Sequence, residues 1–263
     1  MKVFVTPPLN HLELSELGDN NFYVLAQLYK KYPEYREYTK KAKEQGRFLI
    51  LDNGAGDEGE IIQKEELFEL TQEILPNEVI PTDELYDSTK TMMNLVWFIS
   101  KMRETKMVGV DIFACPQAKT ISEYKLAFFA MAQMKEVRTI GLSKKAIPYV
   151  YGVKEKDCDI DLTRITMVYD LCKSHSYIRF TEKNLHCLGM GDCREFLMYK
   201  GFPNIRSTDS CYPIFAAIND VDIEEEPFVN RIPTPKDYFR IDMTVDQIEL
   251  AKKNIAFLKK CCH

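Results

Sequence analysis

Eight cysteines, at positions 115, 158, 172, 187, 193, 211, 261 and 262, never form a C-x-x-C pair. A chain of 263 residues has no need of a disulfide framework, so they read as buried or idle thiols in a reducing compartment. No stretch approaches the ~18 uncharged apolar residues that span a bilayer. Met1-Lys2 runs straight into Val3-Phe4-Val5, without the zones of a secretion signal. Together these absences predict a soluble, cytoplasmic protein. An excess of basic charge is also lacking: the net charge is -5, so the molecule as a whole does not attract polyanions. Any nucleic acid would have to be held by a local basic surface.

What is present is ordinary globular composition, 45% hydrophobic and 29% charged. Short β-type runs alternate with amphipathic helical stretches. The strand candidates are residues 2–6 (KVFVT), 48–52 (FLILD), 78–81 (EVIP), 108–113 (VGVDIF), 139–142 (TIGL), 184–188 (NLHCL), 204–207 (NIRS) and 238–241. Helical spacing marks 64–75, 88–104, 121–134, 162–174, 193–199 and 245–260. Such repeated strand–helix alternation predicts an α/β fold, a (β/α)8 TIM barrel. The competing doubly wound sheet lacks its G-x-G-x-x-G after the first strand. With no internal repeat and no Gly/Ser linker, residues 1–263 read as a single domain. Residues 220–235, acidic and carrying prolines, read as an exposed loop. Residues 29–47 form a Tyr- and Lys-rich excursion, either a basic surface with Lys30, Lys31, Arg36, Lys40, Lys41, Lys43 and Arg47, or an amphipathic helix with its tyrosines packed inward.

Active sites of barrels gather at the carboxyl ends of the strands, which makes polar residues there informative. Asp52 ends FLILD, Asp83 follows EVIP, Gln117 follows the fourth strand, and Asp209 ends the seventh. Gly141 lies within TIGL and His186 within an apolar run. Each has a plain structural alternative. An Asp after a strand commonly caps the next helix, which suits Asp83 and Asp192. His186 suits a hydrogen-bonded core histidine, and Gln117 suits a loop-satisfying amide. The Gly189-x-Gly191 turn suits a phosphate cradle only in company with other evidence.

The order of these segments resembles the tRNA-guanine transglycosylase superfamily, closest to its shorter phage and bacterial members that insert 7-deazaguanine bases into DNA. The family's DSGG is matched by Asp52-Asn53-Gly54-Ala55, its base-reading aspartate by Asp83, and its VQG by Pro116-Gln117-Ala118. Its IGG is matched by Ile140-Gly141-Leu142, and its H-x-L-x-G-x-G turn, one residue shorter, by HCLGMG at 186–191. The nucleophile segment FDCVLP is matched by Thr208-Asp209-Ser210-Cys211-Tyr212-Pro213.

The resemblance implies an enzyme, a base-exchanging pentosyltransferase without a cofactor or metal. Asp209 is the implied nucleophile and Asp52 the general acid and base. Asp83, Gln117, Gly141, Asn53, His186 and Leu188 are the implied base-binding residues. Implied partners are guanine-containing DNA, flipped out or single-stranded, and a free 7-deazaguanine such as 7-cyano-7-deazaguanine. A phage-encoded copy would act in the host cytoplasm. The family's C-x-C-x-x-C zinc motif is missing, since the chain ends Cys261-Cys262-His263. So are its arginine after the nucleophile, where Ile-Phe-Ala-Ala follows Pro213, and its aromatic after DSGG, where Gly56 stands. These departures favour DNA over the alternative tRNA, and leave base stacking to another residue, Leu188 being the candidate. Rival readings are a non-catalytic nucleic-acid binder and a metal-dependent hydrolase; against the latter, no H-x-H follows the first strand.

Overall fold

The computed structural model describes residues 1–55, 61–154, 160–173, 182–199, 202, 204–227 and 232–262. Eight parallel strands form one sheet in the order β1-β8-β7-β6-β5-β4-β3-β2. They are β1 (Lys2–Val5), β2 (Asn21–Leu25), β3 (Phe48–Asp52), β4 (Glu78–Val79), β5 (Asp111–Ala114), β6 (Val137–Ser143), β7 (Asn184–Leu188) and β8 (Ile205–Ser210). Strands β1 and β2 pack together at the seam, so the sheet is a nearly closed TIM barrel.

Around it run α1 (Ala26–Lys31), α2 (Pro33–Glu44), α3 (Lys64–Ile74), α4 (Ser88–Glu104), α5 (Ile121–Gln133), α6 (Ala146–Val150), α7 (Ile160–Cys172), α8 (Cys193–Met198), α9 (Tyr212–Ile218) and α10 (Val245–Cys262). Their starts follow local chemistry. Asp87 caps α4 through Lys90 N, Thr120 caps α5 through Glu123 N, and Asp192 caps α8 through Arg194 N. Pro213 sits in the first turn of α9, where its missing N–H costs nothing. Among the described residues, no helix is long and apolar enough to cross a membrane.

The expected barrel is present, but one of its strands lies elsewhere than expected. Residues 238–241 do not form the eighth strand: Tyr238–Arg240 is a single 3-10 turn. The missing strand is β2, a wholly buried NFYVL that pairs with β3 and leads straight into α1. The excursion at 29–47 is helical, within α1 and α2, with Tyr29 and Tyr35 buried. Its Arg47 is buried as well, donating to Ser15 O, Ser15 Oγ and the Asn21 carbonyl. Lys30 pairs with Glu66, and Lys43 donates to the Ile74 carbonyl. This segment is a wall of the barrel.

The amino-terminal end of the barrel is plugged by charge. Glu78, 1% exposed, receives both guanidinium nitrogens of Arg206 at 2.6 and 2.7 Å and the Thr139 hydroxyl at 2.6 Å. The guanidinium also lies over the Phe48 ring. Such a pair is costly to desolvate and tolerable only because its geometry is fully satisfied. Higher in the lumen, Phe4, Tyr23 and Phe113 surround the His186 ring. The polar residues that nothing in the packing requires are at the other end, where the strands finish.

Candidate active site

Asp209 is the penultimate residue of β8, level with Phe4 of β1. Its Oδ1 accepts from the Gly189 backbone N–H at 3.0 Å and lies 3.0 Å from His186 Nε2. Gly189 makes that donation from a left-handed backbone, φ 66°, which a side chain would resist. The Asp209 carbonyl in turn accepts from Met190 N, so strand end and turn hold one another.

The imidazole is completely buried and its Nδ1 lies 2.8 Å from Ser207 Oγ. Burial draws its pKa below the ordinary histidine value, while Asp209 pulls the other way. A neutral ring with the proton on Nε2 satisfies both partners: it donates to Asp209 and accepts from the Ser207 hydroxyl. The sequence alternative of a hydrogen-bonded core histidine describes His186 correctly, and its partner is the candidate nucleophile.

Across the mouth lies a second polar group. Asp83, 4% exposed, follows β4 and accepts from Asn53 Nδ2 at 2.7 Å on Oδ1 and from Gln117 Nε2 on Oδ2. It is not a helix cap, since Asp87 caps α4. Burial pushes its carboxyl above the ordinary value, against the lowering by Asn53 and Gln117. The Asp83 backbone N–H and the Cys115 thiol also bond the carboxylate, and of its four partners the thiol is the weakest donor.

Asn53 is itself spanned by donors and acceptors. Its amide N–H groups also reach the Pro81 carbonyl at 3.0 Å, and its Oδ1 accepts from Ala55 N at 2.7 Å. It acts as a bracket for Asp83. Gln117, buried after β5, turns its Oε1 to the Tyr86 N–H at 3.3 Å. Asp52 closes β3 and its Oδ2 accepts from Gly54 N at 3.2 Å. Burial, then the charges of Asp83 and Asp52, drive the Cys115 thiol well above its ordinary pKa, and the adjacency of β3, β4 and β5 in the sheet puts both carboxylates on one side of the mouth. Asp209 with His186 makes up the other.

Gly141 is paired with His186 in the sheet, and close packing dictates its identity. A Cβ there would stand 2.8 Å from both Leu188 Cδ1 and Phe113 Cε2. Leu188, half-buried at the end of β7, thus covers Gly141 on the mouth. Behind these two strands sits Arg164 of α7, which the sequence reading missed. It donates to the carbonyls of Leu142 and Leu188 and is gripped by Glu195 through Nε at 2.5 Å and Nη2 at 2.6 Å. An Arg and a Glu inside helical patterns carry no one-dimensional signal for such a clamp.

Among the described residues no group of three or more His, Cys, Asp or Glu side chains converges in a way that would hold a metal ion. Cys261 and Cys262 are buried on α10; Gly56, Cys158 and His263 lie outside the described residues. Compared with models of known protein families and with curated proteins, the sequence matches none.

Proposed function

We propose that the protein is a transglycosylase that exchanges guanine in DNA for a free 7-deazaguanine base through a covalent aspartyl-glycosyl intermediate. The observation that carries this reading is a part-exposed carboxylate, Asp209, held by His186 and Gly189 at the same barrel mouth as a buried, bracketed carboxylate, Asp83. Glycosyl exchange needs a positioned anion on the sugar side and a reader of the base on the other. The order of segments along the chain, which resembles the transglycosylases, supports the same assignment.

Both hydrogen bonds to Asp209 fall on Oδ1, which leaves Oδ2 to attack C1′ of the nucleoside. The C1′–N9 bond breaks as the C1′–O bond forms, and guanine departs with a proton from Asp52. The incoming 7-deazaguanine gives its N9 proton to Asp52, forms the new C1′–N9 bond and releases Asp209. The base is read by Asp83, whose carboxylate would accept N1–H and the exocyclic amine together in exchange for its weaker local bonds, the Cys115 thiol first. Gln117 Nε2 spends one N–H on Asp83 and the other on a long, 3.6 Å contact to Cys115 Sγ, a weak acceptor that O6 would replace. Leu188 over Gly141 supplies apolar cover for the ring.

The test is a denaturing gel with a labelled guanine-containing oligonucleotide. Wild type forms a denaturation-resistant protein–DNA species that free 7-cyano-7-deazaguanine discharges. Asp209→Asn forms neither adduct nor exchanged product, and Asp52→Asn exchanges poorly while still accumulating some adduct. Exchange by Asp209→Asn at the wild-type rate sinks the assignment.

A further inference from the structure

The geometry points to a stacking platform for an unpaired nucleobase on the rim of the mouth, made by Tyr86 and Tyr149, with Lys144 placed for the adjoining phosphate. It deepens the transglycosylase reading and rests on it. The two rings lie face to face, centroids 4.0 Å apart and planes at 26°. Tyr149 is 46% exposed, so part of the stacked pair faces solvent.

Tyr86 is held with φ at 64°, a backbone conformation that a side chain of this bulk rarely takes, and such outliers persist where the surroundings fix them. Here the fixing bond is identifiable. Tyr86 N donates to Gln117 Oε1, and the same amide donates to Asp83. The stack is therefore tied through one side chain to the carboxylate that reads the base.

Its other half belongs to α6, which follows β6 almost directly. Ser143 Oγ accepts from Lys145 N and Ala146 N, and Tyr149 N donates to the Lys145 carbonyl, so the segment is fixed to the strand end. Lys144 lies against the 189–191 turn, whose Gly189 N–H donates to Asp209. A Cβ on Gly191 would come within 2.4 Å of Lys144 Nζ, and one on Gly189 within 3.8 Å of its Cδ. The two glycines leave the room in which that ammonium sits. An exposed aromatic face with a cation one short segment away is the combination that holds single-stranded nucleic acid, the ring taking a base and the cation a phosphate. In residues 29–47 Tyr29, Tyr35 and Arg47 are buried, while Lys31 and Lys41 stay exposed and lie over the half-buried rings of Tyr32 and Tyr38.

The experiment uses a single-stranded oligonucleotide with 2-aminopurine next to its one guanine, and 7-cyano-7-deazaguanine as the incoming base. Wild type quenches the 2-aminopurine on binding, and Tyr149→Phe does the same. Tyr149→Leu loses the quenching and raises KM for the oligonucleotide about tenfold, with the loss in KM rather than kcat. Lys144→Gln lowers the slope of log affinity against log salt by about 0.7, the loss of one phosphate contact on a single strand. Wild-type quenching and KM in Tyr149→Leu overturn the platform alone, provided the wild type exchanges base. A wild type that neither exchanges base nor quenches the probe overturns the transglycosylase reading and the platform together.

Discussion

His186 Nε2 and Asp209 Oδ1 lie 3.0 Å apart, the ring wholly buried and the carboxylate side chain 17% exposed. The buried ring is a fixed donor to a carboxylate that solvent can reach. Because burial lowers the pKa of His186, the native state resists taking up a proton that the unfolded chain accepts. The stability this contributes is present above the unfolded histidine value of about 6.5 and is lost as pH falls towards the folded one. Melting temperature measured from pH 7.5 to 5 therefore falls more steeply for wild type than for His186→Gln. Parallel curves would mean that the ring takes its proton as readily folded as unfolded.

Asp83 gives a dependence of the opposite kind. Its pKa is raised by burial, so the native state holds a proton that the unfolded chain has already lost, and the stability from it is lost as pH rises through the folded value. On the proposed reading, base binding needs the ionised form. Affinity for 7-cyano-7-deazaguanine, followed by titration calorimetry, falls in acid with a midpoint above the ordinary carboxylate value. Asp83→Ala lowers that affinity by about 2–3 kcal/mol and abolishes the acid limb. An unchanged affinity would reduce Asp83 to an anchor for Asn53 and Gln117.

Most of the barrel was legible because its strands are short, β-branched or aromatic runs bounded by turn residues. β2 has the same signature: Gly18-Asp19-Asn20 is a turn cluster ahead of FYVL. It escaped because a rival candidate at 238–241 completed the count of eight, though its Tyr-Phe-Arg forms only a 3-10 turn on Asp237, itself at φ 49°. For the candidate site, the positions of Asp52, Asp83 and Asp209 at strand ends were legible. What could not be read were the contacts made between distant segments: His186 on Asp209, 23 positions away, and Gln117 on Asp83, 34 away. Nor does any pattern announce a positive φ at Tyr86, whose N–H is bonded to Gln117, 31 positions away.

Metal removal should leave the fold unchanged. Cys261 and Cys262, at the end of the chain, are packed in α10, and burial pushes the Cys262 thiol up to about 12, far from the thiolate that zinc requires. Thermal melts with and without a strong chelator should superimpose. A fall in melting temperature, with about one zinc per chain by elemental analysis, would overturn this.

The last prediction concerns Arg164. It is 2% exposed, paired with Glu195 at 1%, and it ties the carbonyls of Leu142 and Leu188 together behind the glycines and leucine of the mouth. Burial works against its charge, but Glu195 beside it more than restores it, and the guanidinium pKa ends raised. Removing the cation alone leaves a carboxylate stranded in apolar surroundings. Arg164→Met should therefore lower unfolding free energy by about 3–5 kcal/mol in urea titrations. Removing both charges lets apolar side chains fill the space, so Arg164→Met with Glu195→Leu should recover most of that loss. The double variant still lacks the two bonds to the strand ends. If those bonds hold Leu188 over Gly141, it should be stable yet bind the free base more weakly than wild type. Base affinity equal to wild type in the double variant would make the clamp a matter of folding alone.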